Sequence, residues 1–201
     1  RAPLGELFRE RRAASTLMFW SAFFMCLLMV YALAFWLPKL MTVAGYGLKS
    51  SLAFLMVLNM GAIVGAIGGA WLADRSSLRV VLVAYFMMAA VSLGLLGFDS
   101  PPWLVSGLVA VAGATTIGSQ TLLYAYAAQF YPAAIRSTGV GWASGIGRNG
   151  AIIGPLLGGV MAAWGMRAPF FIYGFALVVA TLIVAVRLNP EALRQKVPQR
   201  T

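Results

Sequence analysis

Apolar residues along this chain come in long unbroken blocks, not in the alternating or one-in-three patterns of soluble strands and helices. A helix that crosses a bilayer needs about 20 predominantly apolar residues. Six blocks meet or approach that length: 16–37, 50–72, 80–97, 103–130, 137–164 and 168–186. Between them lie short connectors with turn or charge signals, PKLMTVAGYGLK, ADRSSLR, FDSPP, YPAAIR and GMR. The pattern predicts an all-α polytopic membrane protein, with six transmembrane helices in up-down succession over 16–187 and hydrophilic segments at 1–15 and 188–201.

Composition agrees. Of 201 residues, 61% are hydrophobic and 10% charged, and mean hydropathy is +0.87. A soluble domain carries about a quarter charged residues. There is no histidine and a single cysteine, Cys26, inside an apolar run. That removes the usual raw material of metal sites and of disulfide scaffolds, and no cofactor is expected.

The net charge of +10 would raise the question of nucleic acid in a soluble protein. Here the basic residues sit between apolar blocks, where they set topology and meet anionic lipid headgroups. Arg1, Arg9, Arg11, Arg12, Arg75, Arg79, Arg136, Arg187, Arg194, Lys196 and Arg200 fall on one side of a six-helix bundle, and Lys39, Lys49 and Arg167 on the other. The positive-inside rule therefore puts 1–15 and 188–201 in the cytoplasm. The opening RAPLGELFRERR has neither an initiating Met nor a signal-peptide pattern, and is expected to be a fragment starting in a hydrophilic loop.

Small residues mark helix contacts. Gly61, Gly65 and Gly69 recur at every fourth position in the second block, as do Gly150, Gly154 and Gly158 in the fifth. Such ridges let helix backbones approach in lipid, where hydrophobicity no longer drives association. Pro155 is expected to bend or loosen the fifth helix.

Arg148 stands out against that background. At 1.5 Å per residue it lies roughly 18 Å from Arg136 and roughly 24 Å from Trp164, near the middle of a hydrocarbon core about 30 Å thick. A central arginine costs about 2.5 to 3.5 kcal/mol on insertion scales, so such residues face a cavity or a partner. Every acidic residue (Glu6, Glu10, Asp74, Asp99, Glu191) lies in a connector or tail. The partner must come from a missing segment, another subunit or an anionic substrate. At 100° per residue Gly150 points about 200° away from Arg148, whereas Ser144 and Gly141 share its side. The guanidinium fork suits a carboxylate.

The fourth block carries a polar stripe of Gly113, Thr116, Gln120 and Tyr124, with Ser119, Tyr126 and Gln129 nearby. It serves either as interhelical glue or as the wall of a water-filled pathway. The first block offers Trp20, Phe24 and Tyr31, and the second Asn59 near mid-depth. Arg148 with Gln120, Tyr124, Asn59 and Tyr31 forms the candidate binding set for an aromatic ring bearing an acid group.

Two stretches carry a family resemblance. AWLADRSSLR resembles the G-x-x-x-D-R-x-G-R-R loop of the major facilitator superfamily, with Ala70, Asp74, Arg75, Ser77, Leu78 and Arg79 at its informative positions and both glycines and one arginine replaced. YAYAAQFYPAAIRSTGVGWASGIGRNGAIIGPLLGG resembles the aromatic acid:H+ symporters, which carry 4-hydroxybenzoate, protocatechuate and benzoate; Arg136 and Arg148 match two arginines of that motif, and Asn149 departs from it. The resemblance implies the C-terminal half of a twelve-helix transporter working by alternating access. It also implies a location in the cell inner membrane, with a proton as the coupling ion. The proton-carrying carboxylates would then lie in the absent N-terminal half. Asp74, Arg75, Arg79 and Arg136 would form the gating network at the cytoplasmic ends. The alternatives are a facilitator for another organic acid or sugar, and a six-helix membrane scaffold or enzyme.

Overall fold

A computed structural model describes residue 7 and residues 13–98, 100–162 and 168–187. The expected basic residues at 1, 9, 11, 12, 167, 194, 196 and 200 lie outside the described residues. The described chain is helical, in the order α1 (Ala13–Val43), α2 (Leu48–Arg75), α3 (Leu78–Leu96), α4 (Pro102–Phe130), α5 (Arg136–Ala162) and α6 (Ala168–Arg187). Among the described residues, α1 to α4 are each long and apolar enough to cross a membrane.

Local chemistry sets the helix ends. α1 runs beyond the apolar block, through Pro38 and Lys39, and the Lys39 ammonium sits 5.0 Å from the centre of the Trp36 ring. It stops at Gly45, whose φ of 96° is the left-handed conformation that glycine adopts without strain. The Tyr46 amide then returns to the Met41 carbonyl and the Gly45 amide to that of Thr42, which caps the last turn. Ser77 caps α3 by accepting from the Val80 amide at 3.2 Å. Pro101 and Pro102 open α4, where a missing amide proton costs nothing.

Two seams organise the bundle, α1 against α5 and α2 against α4, while α3 sits between α4 and α6. From Ala62 onward, small residues form the inward side of α2. On α2 the large residues Met56, Ile63, Ile67 and Trp71 are exposed, and Ala62, Gly65 and Gly69 are buried. With lipid as solvent, burying bulk gains little and close backbone approach gains more. A side chain at Gly61 or Gly65 would collide with the Ala110 or Ala114 backbone, and one at Gly113 with that of Leu58. The Tyr85 ring of α3 fills the space over Gly69 and Gly118, and its hydroxyl donates to the Gly65 carbonyl at 3.0 Å.

Candidate functional site

The glycines of α5 form a ridge that α1 fills with large side chains and backbone. A Cβ at Gly147 would meet Leu27 at 3.0 Å; at Gly150 it would strike the Phe24 carbonyl, at Gly154 the Leu28 carbonyl, and at Gly158 the Trp36 indole. The Trp36 indole also donates to the Pro155 carbonyl at 2.9 Å, tying α1 to α5 beside the proline. With this ridge buried, helical geometry turns the opposite side outward. Gly141, Gly145, Arg148 and Ile152 are all exposed there.

Arg148 makes no hydrogen bond or ion pair with any described residue. One turn before it, the Ser144 hydroxyl lies 2.8 Å from the Tyr124 hydroxyl of α4. The Tyr124 ring in turn packs edge-on against Phe23 of α1, with centroids 4.7 Å apart and planes at 89°. Three helices thus meet one turn before the arginine in α5: α1 through the buried Phe23, α4 through Tyr124 and α5 through Ser144. An acid group at such a guanidinium would find a planar fork of donors, one helical turn from the half-buried Tyr124 ring.

The other expected residues are less closely joined. Gln120 stands one turn before Tyr124 on α4, half-buried and without a hydrogen bond to the described residues. Tyr31 is 50% exposed on α1. Asn59 is exposed on α2, and its amide donates back to the Leu55 carbonyl at 2.7 Å. Trp20 stacks on Trp142 of α5 at 6.2 Å, and the Phe24 backbone packs on Gly150. Those two aromatics are engaged in the α1–α5 seam. Asn149 is exposed and its amide donates to the Ile146 carbonyl at 3.2 Å. It borders a shallow groove of about 620 Å³ with Ser137, Thr138, Gly141, Trp142 and Gly145.

At the far end of α2, Asp74 and Arg79 line a cleft of about 470 Å³ together with Ser77, Thr121, Tyr126 and Gln129. Arg75 leaves that cleft and stacks on Trp71 at 4.0 Å. Arg136 donates from Nε to the Tyr131 carbonyl at 3.4 Å. Among the described residues these four charged groups share no ion pair. Tyr131 itself is buried and donates to Thr16, whose hydroxyl donates to the Leu7 carbonyl at 3.0 Å.

Ser144 and Phe23 were not among the candidate binding residues. The i−4 spacing of Ser144 to Arg148 was the available signal for the first. Nothing in the linear pattern singles out Phe23 from the other large residues of its block.

Comparison with known proteins supplies the family. The model of the Major Facilitator Superfamily matches residues 1–149 and 69–201. A benzoate transport protein of Acinetobacter baylyi is 44% identical over 200 residues, covering 98% of this chain and 42% of that protein. A gallate transporter of Pseudomonas putida is 36% identical, covering 100% and 45%. A 4-hydroxybenzoate transporter of Pseudomonas aeruginosa is 32% identical, covering 94% and 41%. The chain thus spans less than half the length of these relatives. With its apolar helices it is a multi-pass membrane protein. It belongs to the Major Facilitator Superfamily, and its relatives there are transporters of aromatic acids, not enzymes.

Proposed function

We propose that this chain is the C-terminal six-helix half of a twelve-helix symporter that takes up an aromatic carboxylate together with protons. Transport runs by alternating access across the cell inner membrane, with both ends of this segment on the cytoplasmic side. Arg148 holds the substrate carboxylate, and Tyr124, Gln120, Tyr31 and Asn59 contribute ring and hydroxyl contacts. Asp74, Arg75, Arg79 and Arg136 latch the cytoplasmic ends during the cycle, and no cofactor beyond the proton takes part.

One observation carries this reading. A mid-helix guanidinium is exposed opposite the face that packs, with no partner among the described residues and the half-buried Tyr124 paired to its helix one turn away. A charge in that position is costly unless something anionic meets it. The names of the relatives support an aromatic acid as that anion. The extent of the match supports a missing half, because the chain covers only 41% to 45% of these relatives. The small-residue groove along Ser137, Gly141 and Gly145 offers that half a place to pack closely.

The test is uptake of labelled 4-hydroxybenzoate by the full-length protein, with Arg148→Ala and Arg148→Lys variants present in equal amounts. Loss of uptake in the alanine variant and a protonophore-sensitive wild type are expected. Wild-type rates in both variants would remove the carboxylate clamp, and indifference to the protonophore would remove proton coupling.

A further inference from the structure

Hydroxyl groups in this bundle mostly turn back on their own helices. Ser92, Ser106, Thr116, Thr121 and Thr181 each donate to the carbonyl four residues earlier. That is the usual way for a membrane helix to satisfy a short polar side chain. Ser144 behaves differently. Its hydroxyl reaches across to α4 and pairs with the Tyr124 hydroxyl at 2.8 Å, where either oxygen can be the donor.

The pair is asymmetric in what each member has to fall back on. Rotation about χ1 returns a helical serine to the carbonyl four residues back, here that of Val140, so Ser144 can leave the pair and stay satisfied. Tyr124 has no such choice. Its ring is held edge-on against Phe23, which fixes where the hydroxyl stands. Breaking the pair therefore leaves one half-buried phenol in want of a partner, and such a group costs free energy until it finds one. A ligand hydroxyl can supply it.

Position makes that ligand the one held at Arg148. Ser144 lies four residues before Arg148, about 6 Å along the axis and about 40° around it. The length of 4-hydroxybenzoate, from carboxyl carbon to phenol oxygen, is roughly the 5.4 Å of one helical turn. We propose that the Tyr124–Ser144 pair reads the ring substituents of the acid anchored at Arg148. A ring hydroxyl takes the place of Ser144 on Tyr124, whereas an unsubstituted ring lies against a pair that is already satisfied. This rests on the reading of Arg148 as the carboxylate anchor. It gives one site the ability to take both hydroxylated and unsubstituted benzoates, with discrimination set by the exchange of a single hydrogen bond.

The two members of the pair have opposite signatures. Tyr124→Phe removes the acceptor of the ring hydroxyl, and kcat/KM for 4-hydroxybenzoate or 3-hydroxybenzoate should fall about tenfold relative to benzoate, mainly through KM. Ser144→Ala leaves the phenol unpaired at rest, and the same ratio should move severalfold the other way. Each ratio is taken within one variant of the full-length protein, so the amount of folded protein cancels. Equal changes for all three acids, or shifts of the same sign in both variants, would overturn the assignment and leave the pair as a helix contact or a carboxylate contact. Those outcomes, with Arg148→Ala still inactive, leave the transport reading standing. Absence of uptake of any of the three acids by the wild type would overturn both.

Discussion

The two seams of the bundle use glycine in different ways. Between α2 and α4 the small residues are reciprocal, with Gly61 and Gly65 set against Ala110 and Ala114, and Gly113 set against Leu58. Between α1 and α5 the glycines lie on α5 alone, and α1 meets them with the Phe24 and Leu28 carbonyls and with the Leu27 and Trp36 side chains. A reciprocal seam commits the glycine faces of both helices to packing. The one-sided seam concentrates the contact on a narrow strip of α5, and the rest of that helix is left to carry Ser144, Arg148 and Asn149. Packing and binding can share a helix when the packing face is made of residues without side chains.

Substitutions should separate the two seams. Gly65→Leu forces a large side chain into the Ala114 backbone and should abolish the folded bundle, read as loss of monodisperse protein in detergent. Arg148→Ala lies on the free side of α5. It should leave the protein folded while lowering uptake of an aromatic acid about a hundredfold, the scale of removing a charged, bidentate contact. Arg148→Lys keeps the charge without the fork and should recover part of that loss. Gly150→Ala presses a methyl group on the Phe24 carbonyl and should destabilise by about 1 to 3 kcal/mol, seen as a lower Tm, with uptake falling because α5 shifts. Trp36→Phe removes the bond to the Pro155 carbonyl, worth about 1 kcal/mol, and part of the ring that covers Gly158, and should lower Tm by a few degrees. If Gly150→Ala proved as damaging as Gly65→Leu, the contrast between the seams would collapse.

Much of the architecture was legible in the chain because lipid demands continuous apolarity and leaves gaps only at turns. The blocks at 50–72 and 103–130 correspond closely to α2 and α4. The first block stopped short at Leu37, since Pro38 and Lys39 look like a terminus, yet α1 continues to Val43. A membrane helix tolerates such a proline, and the lysine finds the Trp36 face. The glycine ridges were readable as contact surfaces, but which helix fills each one is a tertiary matter. The polar stripe of α4 was readable only as a stripe. Thr116 turns back on its own helix, whereas Tyr124 crosses to α5, and nothing in the spacing distinguishes them.

The one-sided seam also bears on the order in which the protein is made. Among the described residues, α1 to α4 each have the length and apolarity to cross a membrane unaided, and α5 is not one of them. Its glycines bring little hydrophobic area, and Arg148 adds about 2.5 to 3.5 kcal/mol against entry. Yet α1, synthesised before α5, already carries the surface of carbonyls and side chains that the α5 ridge packs on. The N-terminal helix of the segment is therefore expected to act during synthesis as a surface that receives a helix poorly suited to enter the bilayer alone.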